Sequence, residues 1–218
     1  MEWREANGVS WLEPTLPGAR AVFSTRSAGS VKESHAALAE VLGLNPSRIA
    51  TGQQVHGAEL SYGDAALADT PEADGHVITA RGIAGLVYTA DCFPVALAGP
   101  GGVAMLHCGW RGLAAGIISN GAAAVEATHA AIGPGIGPCC YEVGDEVLAA
   151  LAETGEGVSS GRMLNLPEAA RRLLHQAGVE QIESAALCTC CEEELFFSHR
   201  RDGGPGRQAG IAWLEGSG

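Results

Sequence analysis

The 218-residue chain has almost no lysine. Lys32 stands alone beside twelve arginines, and these 13 basic side chains face 25 acidic ones for a net charge of −12. So acidic a surface repels phosphodiester backbones and anionic headgroups, which argues against nucleic acid or a membrane surface as partner. Charged residues are few, 17% against 46% apolar, a balance that builds a packed core and excludes a disordered chain. No apolar run approaches the ~18 residues of a membrane span. The opening MEWREANGVSWLEP shows no basic-then-apolar leader, so a cytoplasmic protein is expected. The cysteine count of seven is odd, which rules out a complete disulfide framework, and reduced thiols are expected. The length suits one domain, residues 1–218, with a substantial core; we expect a monomer.

What is present reads as interleaved strands and helices. Residues 21–26 (AVFSTR) form a strand-like run into a polar turn, and residues 31–42 read as a helix closed by Gly43. A strand is expected over 53–60, carrying His56. Residues 83–90, 93–98 and 103–107 are apolar β-leaning runs, the last two joined by Gly99-Pro100-Gly101-Gly102. Helices are expected over 113–129, over 145–153, and from Asn165-Leu166-Pro167 to just before Gly178. A strand over 184–188, a loop or short helix through FFSHRRDGGPGR, and a last strand to Leu214 complete the chain. Hairpin-joined strands among helices favour a mixed-sheet α+β fold over a doubly wound parallel one.

The hairpin places two metal-binding side chains together. If Ala98 faces Val103, then Pro94 lies opposite His107, and Cys92 is two residues along on the same face. Their Cα atoms are then about 7–8 Å apart, close enough for one shared ion. Pro94 also points to an edge strand or a bulge. Two imidazoles and one thiolate leave zinc a fourth position, the pattern of catalytic sites; packed residues without metal are the alternative.

Several segments acquire a joint meaning: QQVHG at 53–57, Ala73-Asp74, TADCFPV at 89–95, HCGWRG at 107–112, IGPGIGPCCYEVG at 132–144 and LCTCCEEELFFSHRRDGGPGR at 187–207. In this order and spacing, residues 21–214 resemble the YfiH-type family, also labelled polyphenol oxidase or laccase domain. The resemblance implies a mixed β-sheet sandwich with flanking helices, like the catalytic domain of cytotoxic necrotizing factor. It implies zinc held by His56, Cys92 and His107. It further implies phosphorolysis of adenosine, inosine, guanosine and methylthioadenosine, with adenosine deamination as a side activity. The chain departs from the family between Ser24-Thr25-Arg26 and the first helix, where members carry a longer stretch. It departs again at Cys190, where members carry an aromatic.

Other roles follow from residue chemistry. Asp91 either orients a ligand or acts as a base, or it is a turn carboxylate. Arg26 and Arg111 either contact phosphate or ribose or form ion pairs; Arg200, Arg201 and Arg207 likewise either solvate loops or build an anion pocket. His76 either lines the pocket or is solvated. The Gly-rich segment 133–138 either cradles an anion or makes a tight turn. Cys139, Cys140, Cys188, Cys190 and Cys191 are expected to pack as small buried hydrophobes, a second metal site being the alternative. Rival functions are an amide hydrolase editing peptidoglycan precursors, a non-catalytic zinc or redox module, and a copper polyphenol oxidase. The oxidase is disfavoured because no two of the seven histidines stand two apart; copper would then be adventitious, bound for its higher intrinsic affinity.

Overall fold

A computed structural model of the chain describes residues 1–63 and 70–216. In chain order the strands and helices are β1 (Glu2–Ala6), β2 (Val9–Glu13), β3 (Ala19–Ser24), α1 (Ala36–Leu42), β4 (Ile49–Ala50), β5 (Leu60–Gly63) and β6 (Gly75–Ile78). There follow β7 (Ala84–Thr89), β8 (Phe93–Gly99), β9 (Gly102–Cys108), α2 (Trp110–Ala114), α3 (Ile117–Val125) and β10 (His129–Ile132). The remainder is α4 (Asp145–Ala150), β11 (Ser159–Ser160), β12 (Met163–Leu164), α5 (Leu166–Gln176), β13 (Gln181–Ser184), α6 (His199–Asp202) and β14 (Gln208–Leu214).

Two six-stranded mixed sheets, ordered β1-β2-β3-β14-β7-β4 and β13-β10-β8-β9-β6-β5, pack face to face. Phe23, Val87, Ala96 and Met105 fill the space between them. Helix α3, through Ile118, and helix α5 cover the outer face of the second sheet over Leu97 and Leu106. Helix α1 covers the outer face of the first through Leu38, Leu86 and Ile211. The fold is α+β, as expected. Because β8 and β9 are buried on both faces, they read as continuous apolar runs rather than as alternating ones.

Local chemistry explains several elements. Asn165 caps α5 by accepting from the Glu168 N–H, and Pro167 stands in its first turn. Asn7 and Gly8 both have positive φ in the β1–β2 turn, the Asn-Gly hairpin signature. The pair is a local hairpin signal near the start of the chain.

Other boundaries moved. Helix α1 begins at Ala36 rather than at 31, because the Val31 N–H is taken by the Arg207 carbonyl and the Glu33 and Ser34 N–H groups turn back to Ser30. The helix expected over 113–129 is two, broken at Gly116 with φ +90°, and His129 opens a strand. Helix α4 stops at Ala150, and the strand expected over 184–188 lies at Gln181–Ser184. Pro94 lies in a central strand, not at an edge. Its side without an N–H faces the end of β10, where only its carbonyl is used, accepting from the Gly133 N–H. Among the described residues no helix is long and apolar enough to cross a membrane.

Candidate metal centre

Gly99 pairs with Gly102 across a two-residue turn, which sets Ala98 opposite Val103 and Pro94 opposite His107. His107 therefore stands near the end of β9, with Cys92 in the turn that enters β8. The third partner arrives differently. Residues 53–60 do not form the expected strand; β5 starts at Leu60, and His56 sits in a loop with φ +63°. A non-glycine residue in that left-handed conformation must be held there.

Asp74 holds it. This wholly buried carboxylate accepts from the Val55, His56 and Gly57 N–H groups at 2.9, 3.0 and 2.8 Å. Its Oδ1 also lies 2.7 Å from His107 Nδ1, so one side chain shapes the loop and fixes the imidazole. Gln54 adds a second tether, exchanging two hydrogen bonds with the Tyr88 backbone. Burial opposes ionisation of Asp74, but the bonds from His107, Gly57 and Val55 outweigh it and keep the carboxyl below its ordinary range.

The ligand atoms of His56, Cys92 and His107 all lie within 4.8 Å of one another, a set able to hold a metal ion. The two imidazoles meet edge to face with centroids 4.9 Å apart. Burial alone would raise the Cys92 thiol, yet His107 and His56 beside it bring it down to about 6. Burial likewise disfavours the His107 cation, but Cys92 and Asp74 push it up to about 9. Gly109 completes the fit: a Cβ there would stand 2.9 Å from Cys92 Sγ and 3.3 Å from His56 Cδ2. Two nitrogens, one polarised thiolate and a carboxylate behind a histidine are the donor set and support that zinc favours.

A cavity of about 530 Å³ opens on this centre. Its walls bring Lys32, Arg111, Arg200 and Arg207 together with the aromatic rings of Tyr88, Trp110 and Tyr141. The lone lysine of an acidic chain thus lines the same cavity as three of its arginines. Arg111 lies over the Trp110 ring at 4.3 Å, and Arg200 over Tyr141 at 5.5 Å.

The remaining sequence candidates divide. Asp91 lines the cavity with φ +86°, and both its oxygens are engaged, by Thr189 Oγ1 and by the Arg200 N–H, each at 2.7 Å. Arg26 is not brought to the cavity: it donates to the Glu193 carbonyl and packs over Phe197. His76 is neither solvated nor pocket-lining. It is buried in β6, 2.6 Å from Ser61 Oγ, and burial pushes it down to about 4, so it is neutral. Segment 133–138 is a structural turn, since its amides donate inward to Pro94, Leu187, Asp91 and the Cys188 sulfur. Nothing in the sequence assigns an individual role to Lys32, Gln54, Tyr141 or His199 in the wall, and Asp74 behind it is signalled only by the Ala73-Asp74 motif.

The family described as multi-copper polyphenol oxidoreductase laccase matches residues 22–215. The chain belongs to this YfiH-type family. It is 37% identical over 205 residues to a purine nucleoside phosphorylase of Xylella fastidiosa, covering 84% of this chain and 78% of that protein. Against the purine nucleoside phosphorylase YfiH of Escherichia coli it is 35% identical over 182 residues, 78% of this chain and 75% of the relative. The crystal structure of YlmD from Geobacillus stearothermophilus superposes with a TM-score of 0.84 at 31% identity, covering 98% of each chain. The copper in the family's description finds little imidazole here: among the described residues, the one metal-capable group containing histidine has two, His56 and His107.

Proposed function

We propose that the chain is a zinc-dependent purine nucleoside phosphorylase, converting adenosine, inosine, guanosine or methylthioadenosine and phosphate into free base and sugar 1-phosphate. The observation that carries this reading is the cationic cavity on the His56–Cys92–His107 centre, inside a protein of net charge −12. The family relatives named for that activity support it.

In phosphorolysis a phosphate oxygen bonds to the anomeric carbon while its bond to the purine nitrogen breaks, the electron pair leaving with the base. Lys32, Arg111 and Arg207 attract and orient the dianion. Asp74 keeps His107 Nδ1 engaged and so aims Nε2 at Cys92 and His56. His56, Cys92 and His107 would hold the zinc, which would supply Lewis acidity and positive charge to the site. Tyr88, Trp110 and Tyr141 offer flat faces to a purine. Asp91, with both oxygens engaged, positions the wall, while Arg26 packs on Phe197 outside it. Deamination of adenosine is a second activity of the same pocket. The whole chain, residues 1–218, acts as one catalytic domain, a monomer in the cytoplasm.

The test is hypoxanthine release from inosine with and without phosphate at equal ionic strength. Release that requires phosphate and yields a sugar 1-phosphate is expected, with arsenate substituting and giving free ribose. Equal rates without phosphate would mean hydrolysis. No release from any purine nucleoside would move the assignment to amide hydrolysis on a peptidoglycan precursor.

A further inference from the structure

A second convergence of metal-binding atoms lies outside that centre. The sulfurs of Cys139, Cys140, Cys188 and Cys191 all fall within 4.8 Å of one another. Cys191 Sγ is 3.4 Å from Cys139 Sγ and 3.5 Å from Cys140 Sγ. Zn–S bonds of about 2.3 Å set the sulfurs of a tetrahedral site about 3.8 Å apart, close to these separations. The cluster is not a set of packed thiols, because Cys139 and Cys191 are exposed. A single disulfide needs only two sulfurs; here four meet from two segments about 50 residues apart in sequence.

Bonds that do not involve sulfur hold the segments in place. Gly135 bridges to Cys188. Arg201 Nη1 donates to the Thr189 and Cys190 carbonyls, and Arg200 Nη1 to those of Cys140 and Glu142. The backbone is also aimed at one sulfur. The Gly137 N–H donates to Cys188 Sγ at 3.2 Å, and the Cys190 and Cys191 amides likewise favour its thiolate. A Cβ on Gly137 would stand 3.2 Å from Cys188 Cβ and 3.3 Å from Cys139 Sγ, so a side chain there would crowd the sulfurs. Cys188 and Cys191 have the x₂ spacing of structural zinc sites.

We propose that Cys139, Cys140, Cys188 and Cys191 form a structural zinc site that clamps the turn after β10 to the loop after β13. Four thiolates close the coordination sphere, so the ion is a staple rather than a catalyst, and its binding releases the thiol protons to solvent. The staple bears on the cavity through covalent neighbours: Tyr141 follows Cys140, and Thr189, inside the clamp, holds Asp91. The inference is independent of the proposed phosphorylase activity.

The experiment uses the full chain under reducing conditions, loaded with zinc alone, in a His56→Ala/His107→Ala variant that removes the other centre. One zinc per chain by elemental analysis is expected. It should fall to none when Cys188→Ser and Cys191→Ser are added, and stay at one with Cys190→Ser, which lies outside the set. Cobalt(II) loaded in place of zinc should show thiolate-to-cobalt charge transfer with tetrahedral ligand-field bands. Absence of both zinc and that spectrum in the histidine variant, with its thiols reduced, would overturn the proposal. Unchanged zinc after the two serine substitutions, or the absorption of an iron–sulfur cluster, would overturn it as well. If the fourfold variant fails to fold, the cobalt spectrum of the histidine variant alone decides.

Discussion

His56 comes from a loop and Cys92 and His107 from the ends of a hairpin, all braced by a carboxylate sealed from solvent, whereas the four-cysteine cluster gathers on loops and is braced by arginines at the surface. In the first, Asp74 spends its lone pairs on three amides and one imidazole, so geometry and charge are set by the same buried group. In the second, guanidinium groups bond to carbonyls near the cysteines, and the sulfurs meet because the loops do. The lesson is that a reactive centre open to a cavity needs its ligands fixed from behind. A closed cluster can leave that task to the ion it holds.

The strongest way to break this contrast is Cys92→Ala. We expect turnover to be abolished and zinc at the three-ligand centre lost, with the fold retained by circular dichroism; retained zinc would remove the thiolate from the ligand set. Next comes Asp74→Ala, which takes the acceptor from three part-buried amides and frees the buried His107. A loss of about 3–5 kcal/mol is expected, the range for breaking a buried charged network, measured by denaturant unfolding. A change under 1 kcal/mol would mean that the ligand loop is held by something else.

Arg111→Ala should weaken apparent phosphate binding by about 1–3 kcal/mol through loss of a charge-assisted contact. An increase in phosphate KM with kcat nearly unchanged is the signature to seek in steady-state kinetics. The smallest effect lies far from both clusters, on α5. Arg171 and Arg172 bond to Glu168 and hold it down to about 2. Its folded pKa is depressed, so the stability it contributes is present above about pH 4.5 and is lost as pH falls through about 2. The pair is partly exposed, so the contribution should be about 0.2–1 kcal/mol and shrink in high salt. Acid unfolding of Glu168→Gln against the parent checks it.

The two clusters also differ in how far they could be read beforehand. Cys92 and His107 were legible as neighbours because a hairpin converts sequence spacing into register: Gly99 to Gly102 sets the turn, and every pair follows. His56 is legible as a candidate, but the sequence around it reads as a strand. Its backbone is captured by a carboxylate 18 residues away, and no local preference announces that. The same kind of capture shortens α1: the segment expected as its first turn is tied at Val31 to the Arg207 carbonyl. The break at Gly116 and the Asn7-Gly8 hairpin are different, since both signals are local, a glycine and an Asn-Gly pair at positive φ.

By itself the sequence determined what short-range chemistry governs: the β8–β9 register, the Asn165 cap, the acidic surface with a single lysine, and a core large enough for an α+β sandwich. Only the tertiary structure decided which cations face the cavity, placing Lys32, Arg111, Arg200 and Arg207 in its wall and leaving Arg26 on Phe197. It alone buried His76 neutral between the sheets and brought Cys139 to Cys191 across 52 positions. The reason is physical. Turn and cap preferences act over a few residues, whereas the meeting of distant loops is set by how two sheets and their helices pack, a free-energy balance spread over the whole core.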